Sequence, residues 1–329
     1  MKKVIVLGGA GFIGINMVNL LNKKKYKILS IDKMNYASNK KEKIFKKVRN
    51  LRIDVNDKKI KTIFKKFKPD YILNFAAETH VDRSIDNADK FIKSNINGVF
   101  NILESIKNLN YKNKLKYIQI STDEVYGSIK SKKKSKENDR YNPSSPYAAS
   151  KAAADMIIKS YIVTYNFPAI ITNCCNNFGP FQYPEKFIPK SIMNTINNQP
   201  INIYGKGLNE REWIYVEDHC LALMEIMKRG KLGEQYNIGS GYVKNNTFIA
   251  KKILKYFKKN KKKNIKFIKD RPAHDVRYAL NSNKLKNVLK FKISTRFDQG
   301  LRKTIIWYKN SKWINKKKHK SFNQRLGLV

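Results

Sequence analysis

The chain has 329 residues, of which 41% are hydrophobic and 12% are aromatic. This composition excludes a disordered polypeptide, and the length is enough for one large domain or two modest ones. No apolar run reaches the roughly 18 residues that a membrane-spanning helix needs. Residues 1–3 lead directly into an apolar strand rather than into a signal peptide. We therefore expect a cytoplasmic protein that does not insert into a membrane.

The formal net charge of +44 would ordinarily indicate nucleic acid or an anionic membrane surface as a partner. Lysine and arginine are absent, however, from residues 161–185, and lysine is absent from residues 117–127 and 141–150, where the motifs described below lie. This distribution is typical of a bias that places lysine at tolerant surface positions. We expect no specific nucleic-acid partner, and a polyanion-binding protein on this scaffold is the remote alternative.

The first predicted strand, residues 4–7, is followed by a turn that contains Gly8, Gly11 and Gly14 and then by an amphipathic helix. Glycines at these positions allow a tight turn and a close approach of the backbone to a pyrophosphate at the helix N-terminus. The second strand, residues 28–31, ends at Asp32, where an acidic residue accepts the hydroxyls of an adenosine ribose. This pattern predicts NAD rather than NADP as the cofactor.

Asp54 follows a short third strand and could either contact the adenine or cap the helix predicted over residues 57–67. The fourth strand, residues 71–75, opens into small and polar residues placed to pass over the cofactor phosphates. A long helix is predicted over residues 88–108. The alternation of strands and helices predicts an α/β fold of the Rossmann type, with a doubly wound parallel sheet.

A smaller mixed α/β lobe for substrate binding is predicted to follow this sheet. We place the NAD-binding domain with the catalytic residues in residues 1–180 and the lobe mainly in residues 181–329, with the chain free to cross back between them.

A buried strand, residues 115–120, delivers Thr122, Asp123 and Glu124 to the carboxyl edge of the sheet, where α/β folds bind ligands. Tyr147 and Lys151 are four positions apart in a helix predicted from residue 146, so they share one face. A lysine held there favours the phenolate and depresses the pKa of the tyrosine, so that the phenol can act as a base. An isolated pair of this kind is typical of an ordinary surface, but the adjacent carboxylates favour catalysis.

Residues 128–139 are rich in lysine and have no apolar period, which predicts an exposed loop without a catalytic role. A strand over residues 169–174 brings Asn176 and Asn177 to the same sheet edge. Arginines in the following lobe suit a diphosphate, although surface ion pairing is the alternative for each.

The chain has three cysteines, Cys174, Cys175 and Cys220. Their spacing fits neither a disulfide framework nor a zinc site. Buried, reduced thiols and no bound metal are expected.

The motifs together resemble those of the extended short-chain dehydrogenase/reductases, and among them the sugar-nucleotide 4,6-dehydratases. The similarity extends from Gly8 to about Asn283. The Asp-Glu pair after Thr122 is the most specific element, because epimerases on the same scaffold generally lack it. The other motifs are GGAGFIG from Gly8, AAETHVDRS from Ala76, PSSPYAASK from Pro143, TNCCNNFGP from Thr172 and RPAHD from Arg271.

This resemblance implies conversion of dTDP-glucose into dTDP-4-keto-6-deoxyglucose and water, for deoxysugar biosynthesis of the rhamnose type. Tyr147 would take the O4 proton during C4 oxidation, Thr122 would hydrogen-bond near O4, and Lys151 would hold the nicotinamide ribose. Glu124 would remove the C5 proton, while a protonated Asp123 would protonate the departing C6 hydroxyl. The alternatives are a UDP- or CDP-sugar 4,6-dehydratase and a sugar-nucleotide 4-epimerase.

The resemblance also implies two sets of binding residues and a homodimer formed through the helix of Tyr147. The NAD site would comprise Gly8, Gly11, Phe12, Ile13, Gly14, Asp32, Asn35, Asp54, Val55, Ala76, Ala77, Thr79, Ser94, Tyr147, Lys151 and Asn177. The nucleotide-sugar site would comprise His80, Thr122, Asn176, Lys186, Phe187, Tyr204, Arg211, Asn246, Arg271 and His274, with Asn245 as the alternative to Asn246.

Three positions depart from the pattern of these dehydratases. Thr79 stands where serine is usual, Glu212 where aspartate is usual, and Ala273 where glycine is usual. Ala273 matters most, because a glycine there can serve a backbone conformation that alanine disfavours. We expect these changes to affect substrate affinity more than the type of reaction.

Overall fold

The computed structural model describes residues 1–40, 42–129 and 132–311. Twelve strands lie in these ranges and form three sheets. They are β1 (Lys3–Leu7), β2 (Lys27–Asp32), β3 (Arg49–Arg52), β4 (Tyr71–Asn74), β5 (Lys116–Thr122), β6 (Ala169–Cys174), β7 (Asn176–Phe178), β8 (Ile201–Tyr204), β9 (Glu210–Tyr215), β10 (Gln235–Ile238), β11 (Val243–Asn245) and β12 (Ile265–Ile268).

Helices alternate with most of the strands. They are α1 (Phe12–Lys23), α2 (Lys59–Phe67), α3 (Val81–Asp86), α4 (Asp89–Phe91), α5 (Gly98–Lys107), α6 (Pro146–Tyr165), α7 (Phe187–Ile196), α8 (Val216–Arg229), α9 (Asn246–Tyr256), α10 (Lys261–Asn264), α11 (Asn283–Val288) and α12 (Phe297–Asn310).

The largest sheet has seven strands in the order β10-β6-β5-β4-β1-β2-β3, and all neighbours in it are parallel. Within it, β1 pairs with β2 on one side and β4 on the other, with Val4 opposite both Ile28 and Tyr71. The connection reverses direction at this point, and the crevice so formed is where doubly wound sheets bind ligands. The predicted Rossmann-type fold is confirmed.

Both faces of this sheet are buried, and successive residues of each strand point to opposite sides. Val4 and Val6 pack in one core cluster with residues of α1 and α8, such as Met17 and Leu223. Ile5 and Leu7 pack in the other cluster with residues of α2, α5 and α6. The strand ends that carry the polar residues are therefore held by a core on both sides.

The C-terminal lobe has its own core, formed around β9 by α7, α9 and α12. Its sheets have the orders β11-β9-β7 and β12-β8. The chain crosses back between the two parts, because β10 pairs with β6 in the large sheet and α8 packs against α1. The boundary at residue 180 remains a prediction, and residues 312–329 of the predicted lobe lie outside the described residues.

The helix predicted over residues 88–108 is interrupted by a π-helical turn, Ile92–Asn97, between α4 and α5. The extra residue of a π turn shifts the helix face. Ser94 and Asn95 are buried as a result, and the Asn95 amide donates to Ser150 Oγ at 2.9 Å. The interruption thereby connects this helix to α6.

The expectation of an exposed loop over residues 128–139 is wrong in part. Ser135 is buried and forms a backbone bridge with Leu280, and its N–H donates to Ala279 at 2.9 Å. Glu137 accepts a hydrogen bond from the backbone N–H of Asn237 at 3.0 Å. Glu137 thereby pairs a backbone group of β10, which is an edge strand of the large sheet. Residues 130 and 131 of this prediction lie outside the described residues.

No helix among the described residues is both long and apolar enough to cross a membrane.

Candidate active site

A cleft of about 310 Å³ lies at the carboxyl edge of the large sheet and extends to the lobe. Residues of both parts of the protein line it, including Trp213 of β9. All but one of the residues predicted for NAD line this cleft. They are Gly8, Gly11, Phe12, Ile13, Gly14, Asp32, Asn35, Val55, Ala76, Ala77, Thr79, Ser94, Tyr147, Lys151 and Asn177.

The glycine-rich turn fits a dinucleotide because side chains have no room in it. Gly8 has a φ of +74°, and a Cβ on it would lie 2.7 Å from the backbone nitrogen of Ala76. A Cβ on Gly14 would lie 2.1 Å from the carbonyl oxygen of Gly8. The N-terminus of α1 follows with no capping side chain and no acidic residue in its first turn. This arrangement leaves backbone N–H groups for an anion such as a pyrophosphate.

Asp32 ends β2 and is buried in the wall of the cleft. Its Oδ2 accepts from the N–H of Ala10 at 3.0 Å, and its Oδ1 accepts from the N–H of Met34 at 2.7 Å and from Ser38 Oγ at 3.0 Å. These bonds fix the carboxylate at the end of β2, where its charge would disfavour the 2′-phosphate of NADP. The residues of the cleft thus fit NAD better than NADP.

Asp54 is the predicted NAD residue that does not line the cleft. Its Oδ1 accepts from the backbone N–H of Asn56 at 2.9 Å and from the Asn56 side chain at 2.8 Å. The start of α2 is satisfied instead by Asp57, whose Oδ1 accepts from the N–H of Lys59 at 2.8 Å. Asp54 therefore orders the turn before the helix. It does not cap α2 directly, and its contact with adenine remains a prediction.

Thr122, Asp123 and Glu124 lie where β5 passes into a 3₁₀ turn, Asp123–Tyr126. Thr122 Oγ1 accepts from the N–H of Glu124 at 3.3 Å and donates to Asp123 Oδ1 at 3.2 Å. Asp123 is buried, whereas Glu124 is partly exposed to the cleft. Two adjacent carboxyl groups thus meet the same cleft in different surroundings.

Their surroundings affect the pKa values of Asp123 and Glu124 differently. Burial, followed by the charges of Glu124 and Glu212, raises the pKa of Asp123 well above its ordinary value. Its Oδ2 has no hydrogen-bond partner among the described residues. Burial also raises the pKa of Glu124, but Arg271, Lys186 and Arg211 oppose this effect. Asp123 is therefore the better proton donor and Glu124 the better base.

Tyr147 and Lys151 project from α6 into the same cleft. The helix begins at Pro146, and Ser145 caps it by accepting from the N–H of Ala148 at 3.2 Å. Tyr147 is 7% exposed and Lys151 is 3% exposed, so both groups act in a dry environment. Lys151 Nζ donates to the carbonyl of Ile120 at 2.8 Å.

The prediction of a depressed pKa for Tyr147 is wrong. Burial and the charge of Glu124 raise the pKa of its phenol well above the ordinary value, and a hydrogen bond with Thr122 opposes them in part. Burial lowers the pKa of Lys151 at the same time. The spacing in the sequence places the two groups together but does not reveal how strongly the site is desolvated.

Four of the ten residues predicted for the nucleotide sugar line the cleft, namely Thr122, Asn176, Lys186 and Phe187. Lys186 Nζ donates to the carbonyl of Thr79 at the cleft wall. Asn176 Oδ1 is buried and has no partner within the described part of the chain. An unpaired polar atom of this kind is suited to a ligand donor.

Tyr204 and Arg271 instead hold Asp82, at the start of α3. The Tyr204 hydroxyl donates to Asp82 Oδ2 at 2.9 Å, and Arg271 Nη1 donates to Asp82 Oδ1 at 2.6 Å. Burial opposes ionisation of Asp82, but Arg271 outweighs it and the pKa of this carboxyl is lowered. The two residues are therefore kept together by an internal anion.

The remaining predicted residues also have partners inside the protein. His80 Nδ1 caps α3 by accepting from the N–H of Arg83 at 3.4 Å, and burial lowers the pKa of His80 to about 3. His274 Nδ1 lies 2.6 Å from Asp270 Oδ1, and burial lowers its pKa to about 4. Arg211 stacks on the ring of Tyr278 at 4.3 Å and donates to the carbonyl of Asp275 at 2.9 Å.

Asn246 is the first residue of α9, and the preceding Asn245 caps this helix by accepting from the N–H of Phe248 at 2.8 Å. Asn245 is thus committed to the helix, which favours Asn246 of the two alternatives.

Two of the departures from the dehydratase pattern have clear structural consequences. Ala273 has a φ of +50°, the left-handed conformation that glycine tolerates and alanine disfavours. Glu212 is buried and accepts from the backbone N–H groups of Gly241 at 2.5 Å and Leu280 at 2.7 Å. The longer side chain joins two loops behind Asp123.

Sequence reasoning missed a second set of charged residues along the cleft. Lys33 and Glu78 form an ion pair of 2.6 Å, and the Tyr36 hydroxyl donates to Glu185 at 2.9 Å. These pairs join segments that lie far apart in the chain, so no local spacing indicates them. The three cysteines are free and buried, as predicted, and Cys174 and Cys175 line the cleft floor.

The sequence pattern of the family described as GDP-mannose 4,6 dehydratase matches residues 5–304. A probable dTDP-glucose 4,6-dehydratase of Sinorhizobium fredii is 41% identical, and the match covers 99% of this chain and 99% of that protein. The dTDP-glucose 4,6-dehydratase 1 of Escherichia coli is 37% identical over 95% of this chain and 94% of that protein.

A solved structure agrees with these matches. The crystal structure of a dTDP-glucose 4,6-dehydratase from Bacillus anthracis in complex with NAD has a TM-score of 0.87 and 37% identity. It covers 95% of this chain and 98% of that chain. The resemblance found in the motifs is confirmed, and the chain belongs to the GDP-mannose 4,6-dehydratase family.

Proposed function

We propose that the protein converts dTDP-glucose into dTDP-4-keto-6-deoxyglucose and water, with NAD as its cofactor. The observation that carries this proposal is the pair Asp123 and Glu124, which meets the cleft beside Tyr147 with two different protonation tendencies. Relatives that are 37–41% identical over nearly the whole chain are named as dTDP-glucose 4,6-dehydratases. A 4-epimerase needs no acid and base pair of this kind, because it removes no water.

The glycine turn, Asp32 and the uncapped N-terminus of α1 would hold NAD. NAD bound there would supply reversible hydride transfer between C4 and C6 of the sugar, so the reaction would have no net change in redox state. The protein supplies the proton transfers and the exclusion of water. Both Tyr147 and Lys151 are more than nine-tenths buried, which keeps solvent from the reacting atoms.

C4 oxidation requires that a proton leave the sugar O4. Tyr147 would accept it as phenolate, with Thr122 hydrogen-bonded nearby, and the Lys151 ammonium would stabilise the phenolate. Because burial raises the pKa of Tyr147, the phenolate is the minor form near neutral pH. The rate of C4 oxidation should therefore rise with pH for as long as Lys151 keeps its proton.

The elimination step requires one group that takes a proton and one that gives a proton. A 4-keto group makes the C5 proton acidic, and Glu124 would remove it. Asp123, which burial keeps protonated, would give its proton to the C6 hydroxyl as this group leaves as water. The hydrogen bond from Thr122 to Asp123 orients the acid toward the same substrate.

The nucleoside diphosphate would be held on the lobe side of the cleft. Lys186, Phe187 and Asn176 already line the cleft there. Arg271 and Tyr204 are held by Asp82, and a diphosphate would compete with this carboxylate for the guanidinium. We infer that Arg271 changes partner when substrate binds.

A homodimer through α5 and α6 is the assembly that we propose. Large apolar side chains are exposed on these two helices: Phe100 is 51% exposed, Met156 is 48% exposed and Val163 is 86% exposed. Met156 and Val163 are seven residues apart and share one face of α6. Light scattering of the purified protein tests the dimer, and a monomer would contradict it.

A cytoplasmic location agrees with the use of NAD and a nucleotide sugar.

The test of the function is incubation of purified protein with dTDP-glucose, followed by mass spectrometry of the product. Loss of one water supports 4,6-dehydration, and parallel assays with UDP- and CDP-glucose then decide the nucleotide preference. An unchanged mass with galactose configuration in the NMR spectrum would mean an epimerase and would overturn the proposal.

A further inference from the structure

Asp155 is a buried carboxyl group that the proposed mechanism does not use. It lies on α6 one helical turn after Lys151 and is fully buried. Its Oδ1 has no hydrogen-bond partner among the residues that the structure describes. A buried carboxylate is destabilising unless it is hydrogen-bonded or paired with a cation. Lys151, four positions earlier on the same helix, is the cation that we consider as its partner.

The other oxygen of Asp155 is held in place by two hydroxyls. Ser121 Oγ donates to Oδ2 at 2.6 Å, and the Tyr141 hydroxyl donates to the same atom at 3.1 Å. Ser121 directly precedes Thr122 at the end of β5. The bond to Ser121 therefore links the Asp155 carboxylate, on the helix of Tyr147 and Lys151, to the strand end that precedes the acid and base pair.

Among the charges around Lys151, that of Asp155 favours the ammonium form most. Burial lowers the pKa of Lys151, and Asp155 is the charge that most opposes this effect, with Cys174 of β6 next. In the same way, burial raises the pKa of Asp155 to about 6, and Lys151 is the charge that most opposes the rise, with Lys159 of α6 contributing less. The titratable groups that face the carboxylate from other segments are Tyr117, Tyr126 and Tyr141.

We propose that Asp155 is a positioning residue for C4 oxidation, whose carboxylate keeps the Lys151 ammonium charged so that Lys151 can stabilise the Tyr147 phenolate. The inference rests on the proposed dehydratase function. Asp155 touches neither the cleft nor the reacting atoms, since it is absent from the cleft wall. We infer that its effect on the reaction is exerted through Lys151, which does line the cleft.

The test is the replacement Asp155→Asn, because asparagine keeps the shape and can accept the same hydroxyls but carries no charge. Tyr141→Phe is the matched control, since it removes a hydrogen bond to Oδ2 and leaves the charge. The rate of C4 oxidation is measured across pH in single turnovers with dTDP-glucose, from the absorbance of the reduced nicotinamide. Circular dichroism and NAD binding confirm that each variant is folded.

Removal of the carboxylate lowers the pKa of Lys151, so the alkaline limit of C4 oxidation in Asp155→Asn should move to lower pH by about one unit or more. The alkaline limit of Tyr141→Phe should coincide with that of the wild type. An unmoved limit in Asp155→Asn, or an equal shift in Tyr141→Phe, would overturn the proposal. Wild-type protein that forms no dehydrated product would instead contradict the proposed function.

Discussion

The two sides of the cleft hold their polar residues in different ways. On the sheet side, Thr122 ends the core strand β5, Asp123 and Glu124 follow it in a 3₁₀ turn, and all three line the cleft. On the lobe side, Arg271 and Tyr204 are engaged by Asp82, and His274 is engaged by Asp270. The proposed acid and base are thus positioned by a core strand, whereas three of the residues proposed for the nucleotide sugar are paired with carboxylates of the protein.

This difference teaches how the two tasks are separated. Proton transfer depends on geometry that is set before substrate arrives, and the core on both faces of β5 provides it. Recognition of a charged diphosphate depends on cations that must not remain unpaired inside the protein. Asp82 pairs with Arg271 in the structure, and we propose that the substrate diphosphate replaces it.

Among the changes on the sheet side, Glu124→Gln should reduce activity most. The amide cannot take the C5 proton, so we expect dehydration to slow by about 10²- to 10⁴-fold. C4 oxidation should persist, and reduced nicotinamide should accumulate in single turnovers. Glu217→Gln on the surface of α8 is the control. Normal water loss by Glu124→Gln would mean that another group is the base.

The second prediction concerns stability on the sheet side. Burial raises the pKa of Asp155 from 3.8 to about 6, so the native protein holds this proton more tightly than the unfolded chain. Its contribution to the free energy of unfolding is therefore lost as pH rises through about 4 to 6, up to about 3 kcal/mol. Chemical denaturation above this range should find Asp155→Asn at least as stable as the wild type.

At low pH the carboxyl of Asp155 is protonated and the advantage of Asp155→Asn should disappear. If Asp155→Asn is less stable than the wild type at neutral pH, the buried charge stabilises the fold and the expected cost is wrong.

The lobe side should respond to Arg271→Gln through substrate affinity. Loss of a charge-assisted bond to the diphosphate is expected to raise KM by about 10- to 100-fold, with a smaller change in kcat. Arg302→Gln, an exposed arginine of α12, provides the comparison. Steady-state kinetics with dTDP-glucose measure both variants. An unchanged KM for Arg271→Gln would mean that Arg271 serves Asp82 alone.

Ala273→Gly should give the smallest effect. Glycine adopts the φ of +50° without strain, so we expect a gain in stability of about 0.5 to 1 kcal/mol. Thermal melting measures this gain. Because Arg271 and His274 flank this position, a modest fall in KM is also expected. A loss of stability would show that alanine is not strained here.

Much of the sheet side could be predicted because it depends on local patterns. Buried apolar runs located β1, β4, β5 and β6 to within about two residues, as is typical of strongly patterned segments. The four-residue spacing placed Tyr147 and Lys151 on one helix face. Each of these features depends on a single segment, so it can be predicted from the local sequence.

The rest depends on contacts between distant segments. The pKa of Tyr147 is set by burial and by Glu124, which no spacing shows. The partnership of Asp82 with Arg271 joins residues 189 positions apart. The π-helical turn at Ile92–Asn97 packs against α6, and no local pattern in the sequence indicates it. Tertiary structure, and not local pattern, decides such features.

The most direct test of the central claim is isotope tracing with dTDP-glucose that carries deuterium at C4, followed by NMR of the product. If Asp123 and Glu124 act as the acid and base of 4,6-dehydration, the deuterium moves to C6 and C5 carries hydrogen from the solvent. The product then lacks the C6 hydroxyl. A product that keeps its C6 hydroxyl, with the deuterium still at C4, would contradict the account.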